Sequence, residues 1–306
     1  MTDALKTSGR LERTLAEGRF AITAETTPPL TADPGKVVAR TAPLAGLVDA
    51  VNVTDGAGAR AHLSSVAAAH FMAIENGIEA VMQFTTRDRN KLALERDLLG
   101  VSAFGVPNVL CLSGDPITIG DEPEATAVND VDSTGLVRLA ATLRDKGKLP
   151  SGRAIEPPPR YLIGVADAPI DPPPDWQPKS LLGKIAAGAD FAQTQFCFDT
   201  GVLERYVARL AAAGVPAGFP ILVGLCPLAS ARQGRWMREN LYGTIIPDAL
   251  IERLEAAAEP RAVGRRICAE LMHELKAMPG IAGVHLMGPG AEAQIAETIR
   301  ESGLAG

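Results

Sequence analysis

The chain has no positive charge to spare. Its 30 Lys and Arg are outweighed by 36 Asp and Glu, the net charge is −6, and no long basic run gathers the cations. A phosphate backbone would be repelled, so no nucleic acid partner is expected. Cysteine is scarce: Cys111, Cys197, Cys226 and Cys268 stand too far apart for a Cys-x-x-Cys site, and each lies in an apolar stretch that suits a small, buried, reduced thiol. Long hydrophobic runs are missing too. No stretch approaches the roughly 18 uninterrupted apolar residues of a membrane span, and residues 1–19 read as a polar helix without an apolar signal core. The expectation is a cytoplasmic protein with no membrane partner. With 46% apolar, 22% charged and 4% aromatic residues among 306, the composition is that of a globular chain, not of a disordered, collagen-like or disulfide-stapled one.

Several catalytic signatures are also absent. There is no His-Glu-x-x-His, His62 and His70 are spaced too widely for adjacent helical ligands, and a surface role suffices for His273, so no metal centre is expected. Neither a Gly-x-Ser-x-Gly elbow nor a Gly-x4-Gly-Lys-Ser/Thr loop occurs, which disfavours serine-triad acyl transfer and nucleotide hydrolysis.

What is present is repetition. Short β-rich segments at 20–24, 48–53, 80–84, 109–112, 161–166, 191–196, 221–225 and 284–287 alternate with amphipathic stretches at 36–44, 62–76, 90–104, 133–146, 180–187, 201–213, 260–278 and 291–301. Eight such units predict an α/β fold of one domain, a single (β/α)8 TIM barrel over 20–306, with an N-terminal helical extension at 1–19. Long connections at 119–132, 150–159 and 168–178 are of a length that is usually functional or mobile. The competing architecture is a dinucleotide-binding sheet, suggested by Gly56-Ala57-Gly58-Ala59-Arg60-Ala61 after the second strand. The acidic residue such a unit needs at the far end of the next strand is missing: Glu75 and Glu79 flank that strand's beginning.

In a barrel the active site lies at the carboxyl ends of the strands. The first strand ends in Glu25, with Pro28 and Pro29 just beyond, and this carboxyl can act as a general acid where apolar walls raise its pKa; the alternative is a salt-bridged rim residue. The second ends Thr54-Asp55-Gly56 and the fourth Ser113-Gly114-Asp115-Pro116, offering hydroxyls, carboxylates and glycines that let backbone approach a flat ligand, or else plain turns. On the sixth, alternation sets Gln193 and Gln195 on one face, where each amide needs a partner: the other amide, the backbone, or a planar ligand such as a pterin or purine. Met287-Gly288-Pro289-Gly290 is either a phosphate-binding helix start or simply a helix start.

These residues in combination resemble the methylenetetrahydrofolate reductase family. The resemblance is carried by Glu25 before Pro28-Pro29, by Val51-Asn52-Val53-Thr54-Asp55, by Leu110-Cys111-Leu112-Ser113-Gly114-Asp115, by the run from Gly183 to Asp190, and by Thr194-Gln195-Phe196-Cys197-Phe198-Asp199, in register from about residue 20 to 288. Phe84-Thr85-Thr86-Arg87-Asp88-Arg89-Asn90, Gly120-Asp121 and Ile246-Pro247-Asp248 are similar to the branch found in one-carbon catabolism and acetogenic metabolism.

The resemblance implies an oxidoreductase in which NADH or NADPH gives a hydride to a bound flavin. The flavin then reduces 5,10-methylenetetrahydrofolate to 5-methyltetrahydrofolate. Glu25 matches the family's general acid, Asp115 the aspartate that lies by the flavin and holds the pterin edge, and Gln195 the folate-site glutamine. Thr54, Gln83, Ser113, Gly114, Asp115, Ala166, Asp167 and Lys184 fall at or beside flavin positions, Lys184 as a partner for a phosphate and Asp167 for a ribose hydroxyl. Departures cluster after the fifth strand. Ala166-Asp167-Ala168-Pro169-Ile170-Asp171-Pro172 replaces a Tyr-Pro-Glu and His-Pro pattern, Gln177 stands at an acidic ribose contact, Gln83 at a frequent histidine, and Ala231 near a folate-stacking phenylalanine. FAD is the expected cofactor, FMN the alternative, and direct hydride transfer from nicotinamide without a flavin a third form. A folate- or pterin-binding barrel without redox activity is the reading from another class. Assembly as a homo-oligomer or with a partner subunit stays open at this level.

Overall fold

The computed structural model describes residues 5–173 and 175–304. Eight parallel strands close into a barrel in chain order: β1 Ala21–Thr26, β2 Ala50–Val53, β3 Ala80–Thr85, β4 Asn108–Leu112, β5 Leu162–Asp167, β6 Phe191–Phe196, β7 Ile221–Leu225 and β8 Gly283–Leu286. Closure comes from β1 against β8, with Ala21 opposite Gly283 and Ala24 opposite Leu286. This is the expected (β/α)8 barrel, and it excludes the open dinucleotide-binding sheet.

Outside the strands run α1 Arg10–Ala16, α2 Gly35–Thr41, α3 Ser65–Asn76, α4 Lys91–Ala103, α5 Ser133–Lys146, α6 Lys179–Ala187, α7 Thr200–Ala212, α8 Ala231–Asn240, α9 Asp248–Glu255, α10 Pro260–Ala277 and α11 Glu292–Ser302. Between β7 and β8, where the sequence predicts one helix, there are three. The first of them, α8, buries only Ala231, Gly234 and Met237, too thin a stripe to register as an amphipathic period. Among the described residues no helix is long and apolar enough to cross a membrane.

Alternation along each strand decides what fills the barrel, because residues i, i+2 and i+4 share a face. Entering from the amino ends, the inward positions are apolar: Ala21, Ala50, Val81, Leu110, Leu162, Phe191 and Leu222 form one buried cluster. Gly164 makes room there, since a Cβ at that position would lie 2.4 Å from the Phe191 ring. Two residues further on, the same face turns polar, with Thr23, Asn52, Gln83, Gln193 and His285 all buried. At the carboxyl rim it carries Glu25, Thr54 and Gln195. The bottom is therefore a packed plug and the top a polar basin.

The N-terminal segment seals the bottom. The helix within the expected 1–19 extension is Arg10–Ala16, preceded by bends, and residues 1–4 lie outside the described residues. It is not polar all round: Leu11 is fully buried in the cluster at the amino ends of the strands, with Leu15 packed beside it. Glu79 holds the helix in place by accepting from the Arg10 and Leu11 N–H groups and from the Asn108 amide (2.8 Å).

Of the long connections, 119–132 and 168–178 lie at the carboxyl mouth. Residues 150–159 sit at the opposite end, between α5 and β5, in a tight turn bridged by Leu149 N–H to Arg153 O (2.9 Å), so that segment has no part in the mouth.

Candidate active site

Two hollows open at the mouth. A cavity of about 410 Å³ is lined by Glu25, Thr54, Gln83, Ser113, Gly114, Asp115, Ala166 and Gln195, joined by Asp55, Gln193 and His285. A neighbouring one of about 460 Å³ is lined by Ala166, Asp167, Lys184 and Gln195, with Trp176, Lys179 and Tyr242. Ala166 and Gln195 belong to both. The candidate residues named from the sequence thus gather at one end of the barrel.

Glu25, on the inward face at the end of β1, is held at one oxygen. Gln83 donates to its Oε2 at 2.9 Å, and Nε2 of His285 stands 3.8 Å from the same atom. Among the described residues Oε1 has no hydrogen-bond donor, so it is the oxygen left to exchange a proton with a ligand. Behind Glu25 lies a buried polar relay. Oγ1 of Thr23 is 2.9 Å from Nδ1 of His285, and the Gln193 amide donates to Thr23 (3.2 Å). Gln193 also exchanges reciprocal amide bonds with Asn52 across the barrel at 2.6 and 3.1 Å. Gln193 is thereby satisfied by protein, and its role is to brace the floor. His285 escaped the sequence-based selection, although its place on the inward face of β8 was a signal for it.

Gln195 differs from Gln193. A bulge in the β6–β7 pairing follows Gln193, and Oε1 of Gln195 accepts from the Phe196 N–H (3.0 Å), which leaves its amide N–H groups to donate into the cavity. Thr54 Oγ1 is buried with no hydrogen-bond partner, an orphan that a ligand acceptor would satisfy.

Asp115 sits on a docked loop rather than a free one. Its Oδ2 accepts from the Gly58 N–H (2.7 Å), Asp121 accepts from Ala61 (2.9 Å), and a Cβ on Gly120 would fall 2.0 Å from Ala59 O. The glycine-rich stretch after β2 therefore serves as a platform for the β4 loop. Gly56 and Gly58 adopt positive φ, and the next α-helix begins only at Ser65, so the stretch does not cradle a phosphate at a helix start. After β8, the first turn of α11 carries the chain's own negative charge: Glu292 is buried there and accepts from Thr26 Oγ1 at 2.7 Å.

Asp55 lines the cavity yet is fully engaged. Arg89 grips both its oxygens, Thr85 donates from backbone and hydroxyl (3.0 and 3.1 Å), and Ser65 donates at 2.9 Å. Burial alone would raise this carboxyl, but the guanidinium and hydrogen bonds outweigh it and hold the pKa below its ordinary value. In the second hollow, burial raises the Asp167 carboxyl despite the Tyr206 hydroxyl that donates to it. Burial lowers the Lys184 ammonium, which faces Asp167 and donates to Ala166 O at 2.6 Å.

A sequence model of the methylenetetrahydrofolate reductase family matches residues 10–303. Among curated relatives, methylenetetrahydrofolate reductase 2 of Schizosaccharomyces pombe is 25% identical over 237 residues, covering 74% of this chain and 36% of that protein. A probable methylenetetrahydrofolate reductase (NADPH) of Caenorhabditis elegans is 23% identical over 74% of this chain and 33% of its own. The chain thus spans about a third of the length of these relatives. Among solved structures, oxaloacetate acetylhydrolase in complex with the product oxalate superposes with a TM-score of 0.50 at 14% identity, over 98% of this chain and 86% of that one, a likeness of fold alone. Because the family match runs from the helix that plugs the barrel to the last helix of the ring, the chain belongs to the methylenetetrahydrofolate reductase family.

Proposed function

We propose that the chain interconverts 5,10-methylenetetrahydrofolate and 5-methyltetrahydrofolate, with NADH or NADPH as the source of hydride and a bound flavin as its carrier. The observation that carries this reading is the convergence of Glu25, Asp115 and Gln195 on one basin that also holds the unpartnered Thr54 hydroxyl. A carboxylate such as Asp115 makes a charge-assisted, two-pronged contact with the aminopyrimidinone edge of a pterin. The free amide N–H groups of Gln195 suit its carbonyl.

With the pterin so held, Glu25 gives the proton on Oε1 to N10 of the substrate. The C–N10 bond of the five-membered ring breaks, and the methylene carbon is left as an iminium on N5. Hydride addition to that carbon completes the methyl group. In the opposite direction Glu25 takes the proton back. Gln83 and His285, both at Oε2, keep the carboxyl oriented through the cycle.

The basin suits the ring of a flavin, which Thr54 and the glycine backbone of Ser113-Gly114 would border; when bound, the flavin supplies a two-electron carrier between nicotinamide and folate. The diphosphate of a dinucleotide flavin is less well served. Among the eight flavin positions Lys184 is the one cation, and it is bonded to Ala166 O beside Asp167. This favours a second reading, direct hydride transfer from nicotinamide, since a transient donor needs only its ring end held.

The test is an absorbance spectrum of the purified protein followed by a NAD(P)H oxidation assay with methylenetetrahydrofolate. Yellow protein with turnover supports the flavin route, and colourless protein with turnover the direct route. Folate binding without turnover in either case would overturn the reductase and leave a binding barrel.

A further inference from the structure

We infer that Arg87 is a positioning residue: its buried guanidinium wedges the β2 and β4 loops together and so fixes Asp115 where the pterin edge is read. The inference rests on the folate reading of Asp115 and says what holds that carboxylate in place.

The need for such a residue comes from exposure. Residues 113–116 are exposed, as is every residue from 121 to 130, so the loop that carries Asp115 has little apolar packing of its own. A carboxylate on a loose loop must be ordered each time a ligand binds, at the expense of affinity. Arg87 stands two residues past the end of β3 and, unlike the loop, is buried. Its side chain reaches both neighbours. Nη1 donates to Gly56 O of the β2 loop at 3.1 Å and stands 3.5 Å from Asp115 O of the β4 loop, while Nη2 donates to Asp88 at 3.1 Å.

The glycines of the two loops are fitted to this side chain. Gly56 takes φ +62°, and a Cβ there would lie 2.5 Å from Nη2; Gly114 takes φ +87°, and a Cβ there would lie 3.2 Å from Arg87 Cβ. The backbone of Arg87 holds the far end of the same loop, since its carbonyl accepts from the Val128 N–H at 2.7 Å, next to the Asn129 N–H on Thr86 O at 3.2 Å. One residue thus anchors the loop at both ends. The β2 loop that it steadies supplies the Gly58 N–H accepted by Asp115 Oδ2, and the remaining lone pairs of that carboxylate are left for a ligand.

A forked guanidinium can serve acceptors on three segments at once, and a single ammonium on a flexible stem cannot. Asp88 is half-exposed and Gly56 O keeps the Ala59 N–H (3.0 Å), so removing Arg87 strands no buried charge or carbonyl and the barrel should still fold.

Arg87→Met, and Arg87→Lys, which keeps the charge without the fork, should each weaken 5-methyltetrahydrofolate binding roughly tenfold by calorimetry. Asp115→Asn removes the charge but not the loop, and in that background Arg87→Met should add less than about twofold, because both changes act through one carboxylate. Hydrogen exchange needs no ligand: in both Arg87 variants, segments 56–61 and 113–132 should exchange at least about tenfold faster with the eight strands unchanged. Multiplicative losses in the double variant, wild-type folate binding in either Arg87 variant, wild-type exchange at both loops, or a loss of protection spread over the strands overturns the inference. Wild-type protein that neither binds 5-methyltetrahydrofolate nor turns over the methylene form overturns the folate reading itself, and the exchange result still decides whether Arg87 holds the loops.

Discussion

At the scale of single residues, the mouth separates side chains that the fold has satisfied from those it has left open. Glu25 is the clearest open case, with one oxygen held and the other free. Glu25→Gln should keep hydride-donor binding and lower folate reduction at least about a hundredfold, the scale of general acid catalysis, as read by steady-state turnover. Full turnover by that variant would remove Glu25 from the mechanism. Asp55 is the satisfied case. Its pKa is held down in the folded protein, so its pairing with Arg89 stabilises the fold above the ordinary carboxylate range, about pH 4, and that stabilisation is lost as pH falls through the lowered value. Arg89→Met leaves a buried carboxylate unpaired and should cost about 3 kcal/mol at neutral pH, with the gap to wild type narrowing under acid in urea titrations. Glu25, Asp115 and Gln195 were legible because a polar residue at the carboxyl end of a barrel strand stands out in sequence. What separates Gln193 from Gln195 was not, because it depends on Asn52, 141 residues away, lying directly across the barrel.

At the scale of elements, the strands carry a gradient that the sequence spells out in steps of two. Ala21-Thr23-Glu25 on β1 and Phe191-Gln193-Gln195 on β6 each run from apolar plug to polar relay to open rim. Short α1 completes the plug from outside the repeat. Leu11→Ala would open a cavity beneath the barrel and should cost about 3 kcal/mol in urea unfolding, within the range for buried Leu→Ala changes, and leave KM at the far end unchanged. The burial of Leu11 was hidden because a seven-residue helix shows too little period to reveal which side is covered. Glu79, which in the sequence only argued against a dinucleotide-binding sheet, turns out to hold α1 against the strands. Strand–helix order could be read because each strand is a compact apolar run. The extra helices α8 and α9 could not, because few of their residues are buried.

At the scale of the whole molecule, closure of the sheet pairs every strand on both sides and removes all edges, while Leu11 and the apolar cluster fill the amino end and the polar basin opens at the mouth. One consequence concerns the thiols. All four cysteines are buried and free, and burial pushes Cys111, Cys197 and Cys226 up to about 12 and Cys268 well above its ordinary value. Native protein at pH 8 should therefore resist a thiol-specific reagent, and all four groups should react once it is unfolded, as counted by released chromophore. The sequence by itself determined the eightfold alternation, the side of each strand that faces inward and the acids and amides at the strand ends, because these follow from local periodicity and from the polarity of a parallel barrel. Only the tertiary structure decided which polar groups were already spent on one another, how the β4 loop docks on the β2 loop, and that a second hollow bordered by Trp176 and Tyr242 continues from the first. Those outcomes depend on distances between residues far apart in the chain, and such distances exist only once the sheet has closed.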